Sequence, residues 1–133
     1  MSFLNTFIRI APDCPEEQGI EPPVRGGKKP VHLIHLELLR EAPYQLTHED
    51  LLVKGESLRE PPSGETKTEI RARLREKSQP CLRTSALGKH YGWGIHFDAK
   101  GKIAAYAAGS AEYRKLAEDP EIEQTVAMRS SRA

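Results

Sequence analysis

Residues 91–108 constrain the fold of this chain more than any other stretch. From Tyr91 to Phe97 the odd positions are Tyr91, Trp93, Ile95 and Phe97, and the even positions are Gly92, Gly94 and His96. A period of two is the signature of a strand with one buried face. Asp98-Ala99-Lys100-Gly101 follows. Asp at the start of a type I turn and Gly at its end suit a three-residue hairpin loop, with Gly101 left-handed as a bulge. The return strand then runs from Lys102 to Ala108. If Asp98 faces Lys102, odd residues pair with odd ones across the hairpin. One face becomes Tyr91, Trp93, Ile95, Phe97, Ile103, Ala105 and Ala107. The other is Gly92, Gly94, His96, Ala104, Tyr106 and Ala108. A slip of one residue would mix the two sets, so the pattern specifies its own register. The odd face is core. The even face is thin and lets another backbone, a helix or a ligand approach closely. A packed helix is the ordinary occupant; the sharper reading is a shallow site floored by Gly92 and Gly94, with His96 and Tyr106 on its rim.

Elsewhere the text is mixed. Phe3 to Ile10 reads as a strand with Leu4, Thr6, Ile8 and Ile10 on one face and Phe3, Asn5, Phe7 and Arg9 on the other. Residues 12–30 hold five prolines and three glycines in nineteen positions, which leaves a long coil. Its second half, Arg25-Gly26-Gly27-Lys28-Lys29, combines cations with exposed backbone N–H groups and can cradle a phosphate or carboxylate. It lacks the second Gly-Lys and the Ser or Thr of a P-loop, and a solvated loop leading into a helix is the ordinary reading. Pro30 suits the first position of a helix over 31–41, with Val31, Ile34, Leu38 and Ala42 as its stripe and Leu36 and Leu39 widening it. Thr47-His-Glu-Asp50 reads as a capped turn leading into a short strand through Val53 and Leu58, because Gly55 weakens a helix. Residues 60–65 read as a linker. Thr66–Lys77 reads as a helix with an Ile70–Leu74 seam, a Glu69–Arg73 pair and a row of Lys67, Arg71 and Arg75. Ser110 caps a helix over 111–118. Asp119-Pro120 reads as a fresh helix start, with a strand over 124–128 as the alternative, and residues 129–133 as a mobile end.

The chemistry-bearing residues are few. Cys81 is the one plausible nucleophile, with His90 or His96 as a base, yet no protease or redox pattern surrounds it and a structural cysteine is the ordinary reading. His32 and His35 have a spacing that suits two metal ligands, but no third ligand sits at a recognisable spacing, so no metal and no cofactor is expected. The net charge of +1 in 133 residues gives no strong nucleic-acid signal. No run approaches the ~20 apolar residues of a membrane span. The opening residues lack a charged leader, and two cysteines make no disulfide framework. These features point to a reduced, cytoplasmic setting.

The text Gln79-Pro-Cys-Leu-Arg-Thr-Ser…Tyr91-Gly-Trp-Gly-Ile-His96, with Gly101-Lys…Tyr106…Ser110…Glu112-Tyr113 and Ala127-Met-Arg-Ser-Ser-Arg-Ala, resembles a family of short, uncharacterised bacterial proteins. Asn5-Thr-Phe-Ile, Pro22-Pro…Gly26-Gly-Lys-Lys and Pro43-Tyr are similar to it as well. The resemblance implies a bacterial origin and a single domain, and it brings no activity. The expected fold is α+β: one domain over 1–133, a mostly antiparallel sheet with a hairpin at about 91–108, and three or four helices packed on it. Three functions remain open. The first is a binding or accessory protein for a small anionic ligand or anionic partner group, using Arg25, Gly26, Gly27, Lys28 and Lys29 with Arg83, His96 and Tyr106 opposite. The second is a small enzyme using Cys81. The third is a homodimer seamed on a face of the hairpin.

Overall fold

The structure, a computed structural model, describes residues 3–24, 26–58, 64–76 and 81–129. Its centre is a four-stranded mixed sheet: β1 (Thr6–Arg9), β2 (Trp93–Phe97), β3 (Ile103–Ala107) and β4 (Glu123–Val126), in the order β3-β2-β1-β4. β2 runs antiparallel to both neighbours, and β4 runs parallel to β1. The hairpin has the register its text requires, with Trp93 opposite Ala107, Ile95 opposite Ala105 and Phe97 opposite Ile103. Gly101 closes the turn at φ +81°, and Oδ1 of Asp98 accepts from the N–H groups of Lys100 and Lys102, both at 2.9 Å.

The odd face of the hairpin meets α1 (Val31–Glu41), α2 (His48–Ser57) and α4 (Ala86–His90), and together they bury Ile8, Leu36, Leu39, Leu51, Leu87, Ile95, Phe97 and Ile103. Burial of this apolar surface is the main source of stability. α1 is buried on more than one side, since the sheet and α2 both press on it; Leu33 and Leu36 are fully buried, while Val31, expected on the inner stripe, is exposed. Pro30 sits one position earlier than expected, as the N-cap.

Three readings of local text change in the fold. Residues 51–58 are helical up to Ser57, in α2, and not a strand. The Thr47–Asp50 capping box starts this helix, and Gly55 is there for packing: a Cβ on it would lie 2.7 Å from Nε2 of His35 on α1. Residues 119–122 form a turn instead of a helix start, and 123–126 take the strand alternative because β1 offers its free edge, with Glu123 N–H donating to Asn5 O and Ala127 N–H to Arg9 O. β1 is shorter than the 3–10 text suggests, because Asn5 turns to φ +47° just before it.

α3 (Lys67–Arg75) begins at a second capping box, Thr66 with Glu69, and buries Ile70. Glu69 therefore caps its own helix, and Arg73 pairs with Glu65 and Glu56 rather than with Glu69. Arg71 and Arg75 bind Glu49 of α2, and Arg71 also binds Asp50, so two of the row's three cations are paired with carboxylates at the surface. A short 3₁₀ turn, Leu82–Thr84, precedes α4. Lys77, most of the 60–65 linker and the C-terminal stretch 130–133 lie outside the described residues. Among the described residues, no helix is long and apolar enough to cross a membrane.

Candidate functional site

The even face of the hairpin is covered by α5 (Ala111–Glu118), whose N-cap Ser110 accepts from the Tyr113 N–H at 3.1 Å. The sheet register continues that face across β1 and β4: His96 lies opposite Phe7, and Phe7 opposite Gln124. Gly94 makes the close approach feasible. A Cβ on Gly94 would stand 2.6 Å from both Phe7 and Tyr113, so the glycine is the floor on which the two rings meet edge-on, centroids 5.0 Å apart. The ordinary occupant of a thin face, a helix, is present here. The helix does not seal it: α5 has no fully buried side chain.

This layer is unusually polar. Among the described residues, three buried atoms in it have no protein partner: Nε of Arg9, Nε2 of His96 and Oε1 of Gln124. Buried polar groups are ordinarily satisfied, so three exceptions on one sheet face mark it out. Gln124 spends its amide on the α5 carbonyl of Leu116, at 2.7 Å. His96 gives its Nδ1 to Tyr44 and keeps Nε2 free. Arg9 makes no ion pair among the described residues.

At the C-terminal ends of the parallel strands β1 and β4 the layer opens into a cleft of about 490 Å³, lined by Arg9, Pro12, Cys14, Glu17, Tyr113 and Val126 among others. Tyr113 is held there because its Oη accepts from the Ile10 N–H at 3.0 Å, which leaves its own proton to donate. Burial raises the Tyr113 pKa, while the Ile10 N–H and the Arg9 guanidinium work against that shift. The Cys14 thiol donates to Glu16 O at 3.5 Å. A planar guanidinium beside a phenol proton, on apolar walls, is suited to a carboxylate or phosphate oxygen.

The residues expected to form one anion site are in three places. Gly27 and Lys29 line a second cleft of about 410 Å³ beside α1, where Lys29 is paired with Glu37 at 2.9 Å and Glu41 is a further wall. Gly26 and Lys28 belong to the same loop, and Arg25 lies outside the described residues. Arg83 sits by the opposite sheet edge, its Nε donating to Val126 O at 2.7 Å. His96 and Tyr106 do come together, bridged by Tyr44. The two halves of the 12–30 coil separate: Gly19 and Ile20 N–H groups bond to Ala108 O and Tyr91 O and close the open end of the hairpin, whereas the basic half follows α1.

Cys81 is a partly buried free thiol at the start of the 3₁₀ turn, and no hydrogen bond joins it to His90 or His96. His32 stacks on Tyr91 with centroids 5.1 Å apart and His35 packs on Gly55, so the pair does not converge. Among the described residues, no cluster of three or more His, Cys, Asp or Glu side chains could hold a metal ion.

The sequence missed Arg9, Tyr44 and Tyr113 as site residues. Arg9 had a legible sign, an arginine in phase with Phe7 on a strand face. Tyr44 had none, since its place depends on how the chain leaves α1. No curated protein and no solved structure matches the chain. The match that exists covers it from end to end: residues 1–133 fit the family of unknown function DUF6157, and the chain belongs to that family.

Proposed function

We propose that this protein binds a small organic anion, carrying a carboxylate or a phosphate, in the cleft between Arg9 and Tyr113. The observation that carries this reading is the Arg9 guanidinium: its Nε is buried without a protein partner at the wall of a cleft large enough for a small molecule. A buried N–H donor left without a partner is costly, and an anion oxygen entering the cleft would relieve that cost. The basic loop is the weaker anchor, because Glu37 and Glu41 already surround Lys29. We place this activity in a bacterial cytoplasm, in keeping with the two unpaired thiols, Cys14 and Cys81.

The test is calorimetric titration of the full chain with inorganic phosphate and with succinate. Saturable binding of one of them to the wild type is expected, weakened at least tenfold in Arg9→Gln and unchanged in Lys28→Ala/Lys29→Ala. Added salt should weaken it modestly, as for a partly desolvated pair. Binding by Arg9→Gln at wild-type affinity, or loss in the lysine variant alone, would move the site to the loop. No binding of either anion by the wild type would remove the reading.

A further inference from the structure

Tyr44 leaves α1 through a left-handed backbone, φ +60°, which a tyrosine rarely adopts. Its N–H donates to Ile103 O at 2.9 Å, so residues 44–46 run along the outer edge of β3 and the ring turns around that edge onto the thin face. There Tyr44 Oη lies 2.8 Å from His96 Nδ1 and 2.8 Å from Tyr106 Oη. The chain of groups thus runs from the partly exposed Tyr106 through Tyr44 to His96, which is only 9% exposed. It ends at Nε2, the buried ring nitrogen with no protein partner. Burial lowers the pKa of His96, while the charges of Asp98, in the hairpin turn, and Asp119, at the end of α5, work against that shift.

We propose that Tyr106, Tyr44 and His96 form a proton relay between solvent and Nε2 of His96, and that Nε2 is the acid–base end of a site for a ligand hydroxyl held beneath α5. Hydroxyls can donate or accept, so the chain has two self-consistent orders. In one, Nδ1–H donates to Tyr44, Tyr44 to Tyr106 and Tyr106 to water, and Nε2 is a base. In the other, every bond is reversed and Nε2–H is an acid. Passage between them transfers one proton. The ligand O–H bond breaks and Nε2–H forms; the Nδ1 proton moves to Tyr44 Oη, the Tyr44 proton to Tyr106 Oη, and the Tyr106 proton to water. The ligand is left as an oxyanion and the relay stays neutral. A buried imidazole can then act as a base without becoming an imidazolium, the form its burial penalises. α5, none of whose side chains is fully buried, is the side from which such a ligand would enter. This site is independent of the Arg9 cleft.

The experiment is long-range proton–nitrogen NMR of the imidazoles in the ¹⁵N-labelled full chain at neutral pH, with phenol as a small hydroxyl probe. The relay predicts averaged, intermediate shifts for the two His96 nitrogens. Tyr106→Phe, which keeps the Tyr44–His96 bond but removes the outlet, should collapse them to the Nε2–H tautomer. Phenol should shift His96 Nε2 saturably, and equally in Arg9→Gln. A single wild-type tautomer that Tyr106→Phe leaves unchanged overturns the relay. An Nε2 resonance unmoved by phenol overturns the ligand site.

Discussion

Gly55 shows how a single residue can be misjudged from its own propensity. Glycine in the interior of a helix costs about 1 kcal/mol relative to alanine, which is why the text around it suggested a strand. In the fold its missing side chain is the space that the His35 ring occupies, 2.7 Å from where a Cβ would be. Gly55→Ala is therefore expected to destabilise the protein by about 1–3 kcal/mol through overpacking, despite the propensity gain. Urea denaturation measures this, and a stabilised variant would contradict the packing argument. Arg9 is the same lesson in polar form. Its position on the Phe7 face was legible, but the burial of its Nε without a partner was not, because that comes from the residues of β4, α5 and the 12–17 loop around it.

Elements differ in how they are held. The hairpin is fixed by cross-strand pairing, its turn and burial on both faces, and its unpaired outer edge is covered by residues 44–47 at one end and 18–19 at the other. Such covering protects an edge from pairing with another chain. α3 is the contrast: it packs on α2 through Ile70, with solvent-exposed ion pairs around it. Ile70→Ala should cost about 2–4 kcal/mol if the whole molecule unfolds together. If α3 opens on its own, its amides should instead exchange much faster while those of β2 keep their protection. Hydrogen exchange separates these outcomes, and unchanged exchange at both α3 and β2 would refute the role of Ile70.

At the scale of the whole molecule, acid stability follows from the α1–α2 interface. Burial, with the neighbouring His48 and His32, pulls the His35 pKa down from 6.5 to about 4. A base whose folded pKa is depressed binds its proton more readily when unfolded, so protonation favours unfolding. Stability is therefore full above about pH 6.5 and declines as the pH falls towards 4, by roughly 3 kcal/mol for this one group. Glu49 and Asp50, whose pKa values are lowered by their arginine partners and the helix cap, act in the same direction at lower pH. Thermal melts between pH 4 and 7 should show this slope. In His35→Gln it should flatten over that range, and an equally steep slope in that variant would assign the acid sensitivity to other groups.

By itself the sequence determined what depends on near neighbours. The hairpin register follows from the alternation of 91–97 and 103–107, the left-handed Gly101 from its turn, and the starts of α2, α3 and α5 from Thr47, Thr66 and Ser110. Each of these interactions closes within a few residues, so the pattern and its cause are in the same window of text. Only the tertiary structure decided that 123–126 is a strand, since four residues of modest propensity become one when β1 presents unpaired N–H and C=O groups beside them. It alone brought Tyr44 around the β3 edge to His96, and left one ring nitrogen of His96 and Nε of Arg9 buried without a partner. Desolvation and orphaned polar atoms are properties of what surrounds a residue, and those surroundings come from parts of the chain that no local pattern connects.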